Sequence, residues 1–164
     1  LNGFQISTGD MLRNEINNNT DIGKKIINDM NDGKFISDEI VNNLIKKNLF
    51  DPKKKNRLIF DGYPRSLSQA ENLDILLNDS GQKINFIFFL NVEKEIIIER
   101  LKKRKSLENR SDDELVTIIK RYETYMKTTK PVLEFYSENS NFKEIDGSQE
   151  IDQITRKIDT FLNA

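Results

Sequence analysis

The 164-residue chain contains no cysteine and no histidine. Disulfide staples, Cys/His zinc centres, thiol nucleophiles and imidazole bases are therefore excluded at the outset. Any chemistry falls to Arg, Lys, carboxylates, hydroxyls and the backbone. An excess of charge is also lacking: Lys+Arg 26 against Asp+Glu 27 leaves a net charge of -1. The molecule as a whole has no electrostatic bias toward nucleic acid or a membrane surface, so an anion site must be local. Long apolar runs are absent as well. The longest, Phe86 to Leu90, falls far short of the roughly 20 residues a membrane span needs. No basic segment leads into an apolar one at the start, and a cytoplasmic location is expected. What is present, 36% hydrophobic and 32% charged residues, is enough for one domain with a single core.

Strand and helix patterns alternate along the chain. Phe4 to Ile6 reads as a short strand, followed by N-cap hydroxyls at Ser7 and Thr8 and a helix carrying Met11, Leu12 and Ile16, which the Asn17-Asn18-Asn19 run ends. A second helix spans about Asp21 to Asp32 and stops at Gly33; a third starts at Ser37 and turns Ile40, Val41, Leu44, Ile45 and Leu49 toward a core. Beyond an exposed loop at 51–55, Arg57 to Phe60 is a short strand running into Asp61-Gly62-Tyr63-Pro64, and Ser68-x-x-Glu71 reads as a capping box. Ile84 to Val92 is the clearest strand, apolar enough for a sheet covered on both faces. Glu93 to Lys105 is a helix, and a second capping box, Ser111-x-x-Glu114, opens a long one interrupted at Pro131. Phe142 to Ile145 and Ile151 to Leu162 are the last strand and helix. This alternation predicts an α/β fold with parallel strands.

Arginine is used sparingly, 8 against 18 Lys, so its positions are informative. Arg13 lies about one turn into the first helix, Arg65 follows a Gly-Tyr-Pro turn at a strand end, Arg100 and Arg104 share a helix face, and Arg110 and Arg121 lie about three helical turns apart. Together they suggest sites that need a planar fork for bidentate contact with phosphate, which Lys cannot supply. The turn Asp61 to Arg65 sits where parallel sheets bind ligands, at a carboxyl end.

Ser7-Thr8-Gly9-Asp10-Met11-Leu12-Arg13, Gly33-Lys34-Phe35-Ile36-Ser37-Asp38-Glu39, Asp61-Gly62-Tyr63-Pro64-Arg65 with Gln69, and Arg110-Ser111-Asp112-Asp113 with Arg121 and Thr129-Lys130-Pro131 resemble adenylate kinase. The motifs follow that family's order and spacing over essentially the whole chain. The resemblance implies a P-loop NTPase-like nucleoside monophosphate kinase fold, a three-layer parallel sheet with flanking helices, working as a monomer. It implies reversible transfer, ATP + AMP to 2 ADP, with Mg²⁺. An AMP-binding lobe would span about 7–36 and a short lid about 104–112, with the core in the remainder. Thr8 and Gln69 would meet the adenine of AMP. Lys34, Phe35 and Ile36 would line its pocket with Gly9, Gly62, Tyr63 and Pro64, and Arg13 and Arg65 would clamp its phosphate. Arg104, Arg110 and Arg121 would close over the transferring group beside Arg100. The backbone near Gln149 would meet the ATP base, and Asp61 would order water on Mg²⁺ without ligating it. Phosphoryl transfer through a loose transition state needs positioning and charge neutralisation, which Arg and a metal supply without His or Cys.

The chain departs from the family in three places. No GxxxxGK segment occurs, and the family's first strand is missing with it, which would leave the strands at 57–60 and 84–91 without the neighbour between them. The expectation is a fragment of a longer reading frame that, by itself, binds ATP poorly and turns over negligibly. Asn109 stands where the family usually has Gly, and the lid is the short form, without the Cys of a zinc-bearing one. Two other readings compete: a UMP- or CMP-type kinase, against which Thr8 and Gln69 argue, and a non-catalytic AMP-binding module. Nucleic-acid binding through the Lys-rich loops has little support, because no aromatics interleave with the lysines.

Overall fold

The computed structural model describes residues 3–108 and 115–163. Strand β1 (Phe4–Ser7) pairs in parallel with β2 (Leu58–Asp61), in the register Phe4↔Leu58 through Ser7↔Asp61. A parallel pair needs a long crossover, and here it consists of α1 (Thr8–Asn17), α2 (Asp21–Asn31) and α3 (Asp38–Leu49). Helix α4 (Leu67–Asp79) leads to the second pair, β3 (Ile87–Asn91) parallel to β4 (Phe142–Asp146), from Ile87↔Phe142 to Asn91↔Asp146. Its crossover carries α5 (Lys94–Glu108), α6 (Leu115–Thr124), a π-helical turn (Tyr125–Thr129) and α7 (Lys130–Ser137), and α8 (Ile151–Leu162) closes the chain.

The order of alternating elements is the one the sequence predicts, an α/β fold with parallel pairing. Among the described residues the strands form two separate ladders, β1-β2 and β3-β4, with no pairing between β2 and β3. The strand expected over 84–92 is correspondingly short. It is also not covered on both faces, since Phe86 and Leu90 are 40% and 45% exposed. A strand whose second edge finds no partner keeps neither the ladder nor the cover that would bury it.

Local chemistry sets the helix ends. The Ser7 hydroxyl accepts from the Asp10 N–H at 3.4 Å, and Thr20 accepts from Gly23 at 3.0 Å, each satisfying a first-turn donor. The capping box expected at Ser68-x-x-Glu71 is not the cap of α4. Ser66 is, accepting from the Gln69 N–H at 3.2 Å, while the Ser68 hydroxyl is committed to Asp38 at 2.5 Å. The break expected at Pro131 falls one turn earlier: the helix widens into the π-helical turn, so that Pro131 enters in the first turn of α7, where its missing N–H leaves no bond unmade. The second capping box, Ser111-x-x-Glu114, lies outside the described residues, as do Asn109 and Arg110.

The main core joins β1 and α1 to α4, with Ile26, Ile45, Leu49 and Leu73 almost sealed from solvent. A smaller cluster of Ala70, Val132 and Tyr136 fastens α4 to α7. This packing carries both crossovers on α4 and brings the carboxyl ends of β1 and β2 beside α6 and the π-helical turn.

Candidate functional site

Strand β1 runs straight into α1 with no intervening loop, so Thr8 and Gly9 stand at the strand's carboxyl end and Arg13 lies one turn further on. Beside them β2 ends in the turn at Gly62, whose φ of +66 favours a residue without Cβ. A Cβ there would lie 2.6 Å from the Arg65 guanidinium and 3.3 Å from the Thr8 hydroxyl. The turn is therefore both bent and overlaid. The Gly62 carbonyl accepts from Thr8 Oγ1 and from Arg65 Nε, each at 2.8 Å. One backbone oxygen thus fixes the start of α1 and the fork of Arg65 together. Thr129 Oγ1 donates to the Arg65 carbonyl at 2.9 Å, tying the π-helical turn to the same spot.

Arg13, Arg65 and Arg121 line one cleft with Thr8, Gln69 and the 33–36 segment. Arg13 pairs with Asp10 on its own helix. Gly33, at φ +69, passes under the stem of Arg121, where a Cβ would approach its Cγ to 3.1 Å. The Phe35 ring lies 5.9 Å from the Arg65 guanidinium, within cation–π reach. Burial depresses the pKa of Arg65, Arg121 and Arg13 add repulsion, and Asp61 offsets part of it. A guanidinium remains charged even so. Three converging guanidinium groups, each half-buried, suit this cleft to an anion.

A second cavity of about 730 Å³ lies between the carboxyl end of β3 and α6 with the π-helical turn. Phe89, Leu90, Tyr122, Tyr125 and Met126 give it an apolar lining. It shares Phe35, Gly62, Arg65 and Arg121 with the first cleft, so the two arginines stand where the hollows adjoin.

The remaining sequence candidates fall elsewhere. Tyr63 is core: its hydroxyl donates to Asn42 at 2.8 Å, and it shapes the turn with Pro64 without lining either cavity. Asp61 ends β2 and accepts from Gln5 at 2.9 Å. Arg100 turns away from both cavities and donates to the carbonyls of Gly147, Ser148 and Gln149 at 2.6, 2.9 and 3.2 Å. It holds the turn between β4 and α8, the segment containing Gln149. Arg104 lines neither cavity, and Arg110 lies outside the described residues, together with most of the segment expected to form the lid.

That turn gives a pH prediction. Asp146 accepts from the Ser148 hydroxyl at 2.5 Å and its N–H at 2.9 Å, and these bonds hold its carboxyl below the usual carboxylate range. A depressed acid stabilises the fold above its unfolded value and loses that contribution as pH falls through its folded value. The Ser148 amide resonance should therefore hold constant from neutrality down to about pH 4, where free Asp titrates, and move only below it. Movement centred at or above that value would contradict the assignment.

The adenylate kinase family model matches residues 1–141, which takes in the first cleft and all of the second but Glu144. The chain belongs to the adenylate kinase family. An adenylate kinase of Pelagibacter ubique (strain HTCC1062) is 46% identical over 187 aligned positions, covering 98% of this chain and 88% of the relative. Those of Maricaulis maris (strain MCS10) and Thermobifida fusca (strain YX) are 38% and 35% identical, covering 94% and 98% of this chain and 82% and 85% of the relatives. As an adenylate kinase family member the chain is a phosphotransferase, a chemistry to which an arginine-lined double cleft is suited. Sequence reasoning missed Asp38, which organises the wall of the first cleft, and the Tyr122, Tyr125 and Met126 face of the second. Asp38 carried a signal in its place inside the Gly33-to-Glu39 motif, whereas the aromatic face read only as helix.

Proposed function

We propose that this adenylate kinase family chain performs reversible phosphoryl transfer between ATP and AMP, with AMP in the first cleft. The observation that carries the reading is the sharing of Arg65 and Arg121 by two adjoining hollows. A phosphoryl group passing between two nucleotides has to sit where both reach it, and fixed guanidinium forks there neutralise the charge that spreads over its oxygens. Arg13 and Arg65 hold the AMP phosphate, Thr8 and Gln69 face its base, and Gly9 and the 34–36 segment close around it. Arg104, Arg110 and Arg121 act on the transferring group, and Arg100 holds the turn at Gln149 against which the ATP base rests. The segment 7–36 acts as a lobe and 104–112 as a lid that exclude water, which would otherwise divert transfer into hydrolysis.

Mg²⁺ is the cation this donor set fits. Among the described residues no group of three or more His, Cys, Asp or Glu gathers to hold a metal, but Mg²⁺ keeps its waters and takes its ligands largely from substrate phosphates. Asp61, at the carboxyl end of β2, is placed to accept from such a water. When bound, the ion neutralises phosphate charge. The enzyme works in the cytoplasm as a monomer; among the described residues no helix is long and apolar enough to cross a membrane.

Calorimetric titration with AMP, UMP, CMP and GMP tests the substrate assignment, with AMP expected to bind best. A preference for UMP would overturn it in favour of a pyrimidine kinase. Coupled ADP formation separates catalysis from binding alone. These 164 residues contain no GxxxxGK segment, and by themselves they are expected to bind AMP while forming negligible ADP. Ordinary turnover would refute that expectation.

A further inference from the structure

Gln69 is 3% exposed, yet it faces the first cleft. Both ends of its carboxamide are held by fixed partners. Nε2 donates to Asp38 Oδ1 at 2.6 Å, and Oε1 accepts from the Arg65 N–H at 2.7 Å. Asp38 is itself immobilised. It is the first residue of α3, and its other oxygen accepts from the hydroxyls of Ser66 at 2.9 Å and Ser68 at 2.5 Å. Flipping the carboxamide would set its oxygen against a carboxylate and its NH₂ against an N–H. Two good bonds would become two repulsive contacts in a buried place, where an unmade bond costs most.

From this geometry we infer that Asp38 is a positioning residue that locks Gln69 in one flip state and thereby selects the base the cleft accepts. The inference rests on the reading of that cleft as the AMP site. A carboxamide has two N–H donors and two lone pairs on its oxygen. With one of each spent on Asp38 and Arg65, a single donor and a single acceptor remain, in a fixed order. Adenine offers a ring acceptor beside an amino donor. Hypoxanthine offers the reverse, a ring donor beside an oxo acceptor. A freely flipping amide would pair with both equally well, whereas a locked one matches only one of them. Base selection then resides in a carboxylate that never touches the nucleotide.

Asp38→Asn is the test. The amide replacing Asp38 keeps the size of the side chain but presents a donor as readily as an acceptor, so a flipped Gln69 keeps a partner at position 38 and is opposed by the Arg65 N–H alone. Wild-type protein is expected to bind AMP in preference to IMP, and D38N should reduce that AMP:IMP affinity ratio about tenfold, the worth of one hydrogen bond to a charged group. Ser68→Ala removes a donor from the same carboxylate without touching Gln69, and should leave the ratio unchanged. A merely structural role for Asp38 would instead move AMP and IMP together in D38N. Ribose 5-phosphate, which has no base, reports on the phosphate end of the cleft. If the wild type binds neither it nor AMP, the site reading falls and this inference with it. If the wild type prefers AMP and D38N keeps the same ratio, the lock alone is refuted.

Discussion

Arg65→Ala is expected to weaken AMP binding by roughly a hundredfold or more, the range for removing one partner of a desolvated, hydrogen-bonded charge pair. The size of the effect follows from where the guanidinium sits. It is half-buried, its Nε is anchored on the Gly62 carbonyl, and it lines both cavities, so its fork is aimed before a ligand arrives and loses little freedom on binding. Arg65→Lys should recover little, because an ammonium can neither hold Gly62 in that geometry nor present two parallel donors. Calorimetry with AMP and with adenosine separates the contributions: the loss should be confined to AMP, which alone carries the phosphate. Equal weakening of both, or a lysine variant that binds like wild type, would sink the assignment. Stability should move the other way. Burial and the neighbouring Arg121 and Arg13 hold the pKa of Arg65 below its ordinary value, which means its charge is less comfortable folded than unfolded at neutral pH. The alanine variant should melt no lower than wild type, and a clear drop in Tm would show the guanidinium to be structural. The cleft spends stability on poise, as functional sites commonly do.

What could be read from the sequence follows the range of the forces involved. Helices α2, α3 and α8 were legible to within a residue or two, because their apolar spacing and first-turn acids are local signals. Ser7 was recognisable as a cap for the same reason. The misreading at α4 shows the limit. Ser66 and Ser68 both satisfy a cap pattern, and what separates them is Asp38, 30 residues from Ser68 in the chain, which claims the second hydroxyl. β3 fails similarly: its apolar run gives it the composition of a covered strand, but pairing is a matter of which edge finds a partner, and β2 is not hydrogen-bonded to it. The arginines divide along the same line. Scarcity marked them as a set, and the fold brings Arg13, Arg65 and Arg121 to one cleft from α1, the turn after β2, and α6. Nothing local to Arg100 said that three carbonyls of a turn 47 to 49 residues away would take its donors.

Gly23→Ala is expected to cost about 1–3 kcal/mol or more, the scale of forcing atoms into a packed interior, even though alanine improves helix propensity over glycine by roughly 1 kcal/mol. The reason is the close approach of α1 and α2. A Cβ at Gly23 would lie 2.1 Å from the Glu15 carbonyl oxygen, 2.5 Å from its carbon and 2.8 Å from the Ile16 Cα. All three are backbone atoms, so no rotamer change relieves the clash. Thr20 adds rigidity, accepting from the Gly23 N–H at 3.0 Å and donating to the Glu15 carbonyl at 3.2 Å. The two helices must therefore separate, and with them go the contacts that seal Ile26 against the core. For a domain of this size each kcal/mol corresponds to about 2–4 °C in Tm, within reach of a thermal melt. The damage should extend beyond stability, because α1 carries Thr8, Gly9 and Arg13 while α2 leads into Gly33 and the 34–36 wall. Moving the helices apart displaces opposite sides of the AMP cleft, so affinity for AMP should fall in the folded variant too. A G23A protein that melts at or above the wild-type temperature, as helix propensity alone would dictate, would show that the helix pair is less tightly joined than this contact requires.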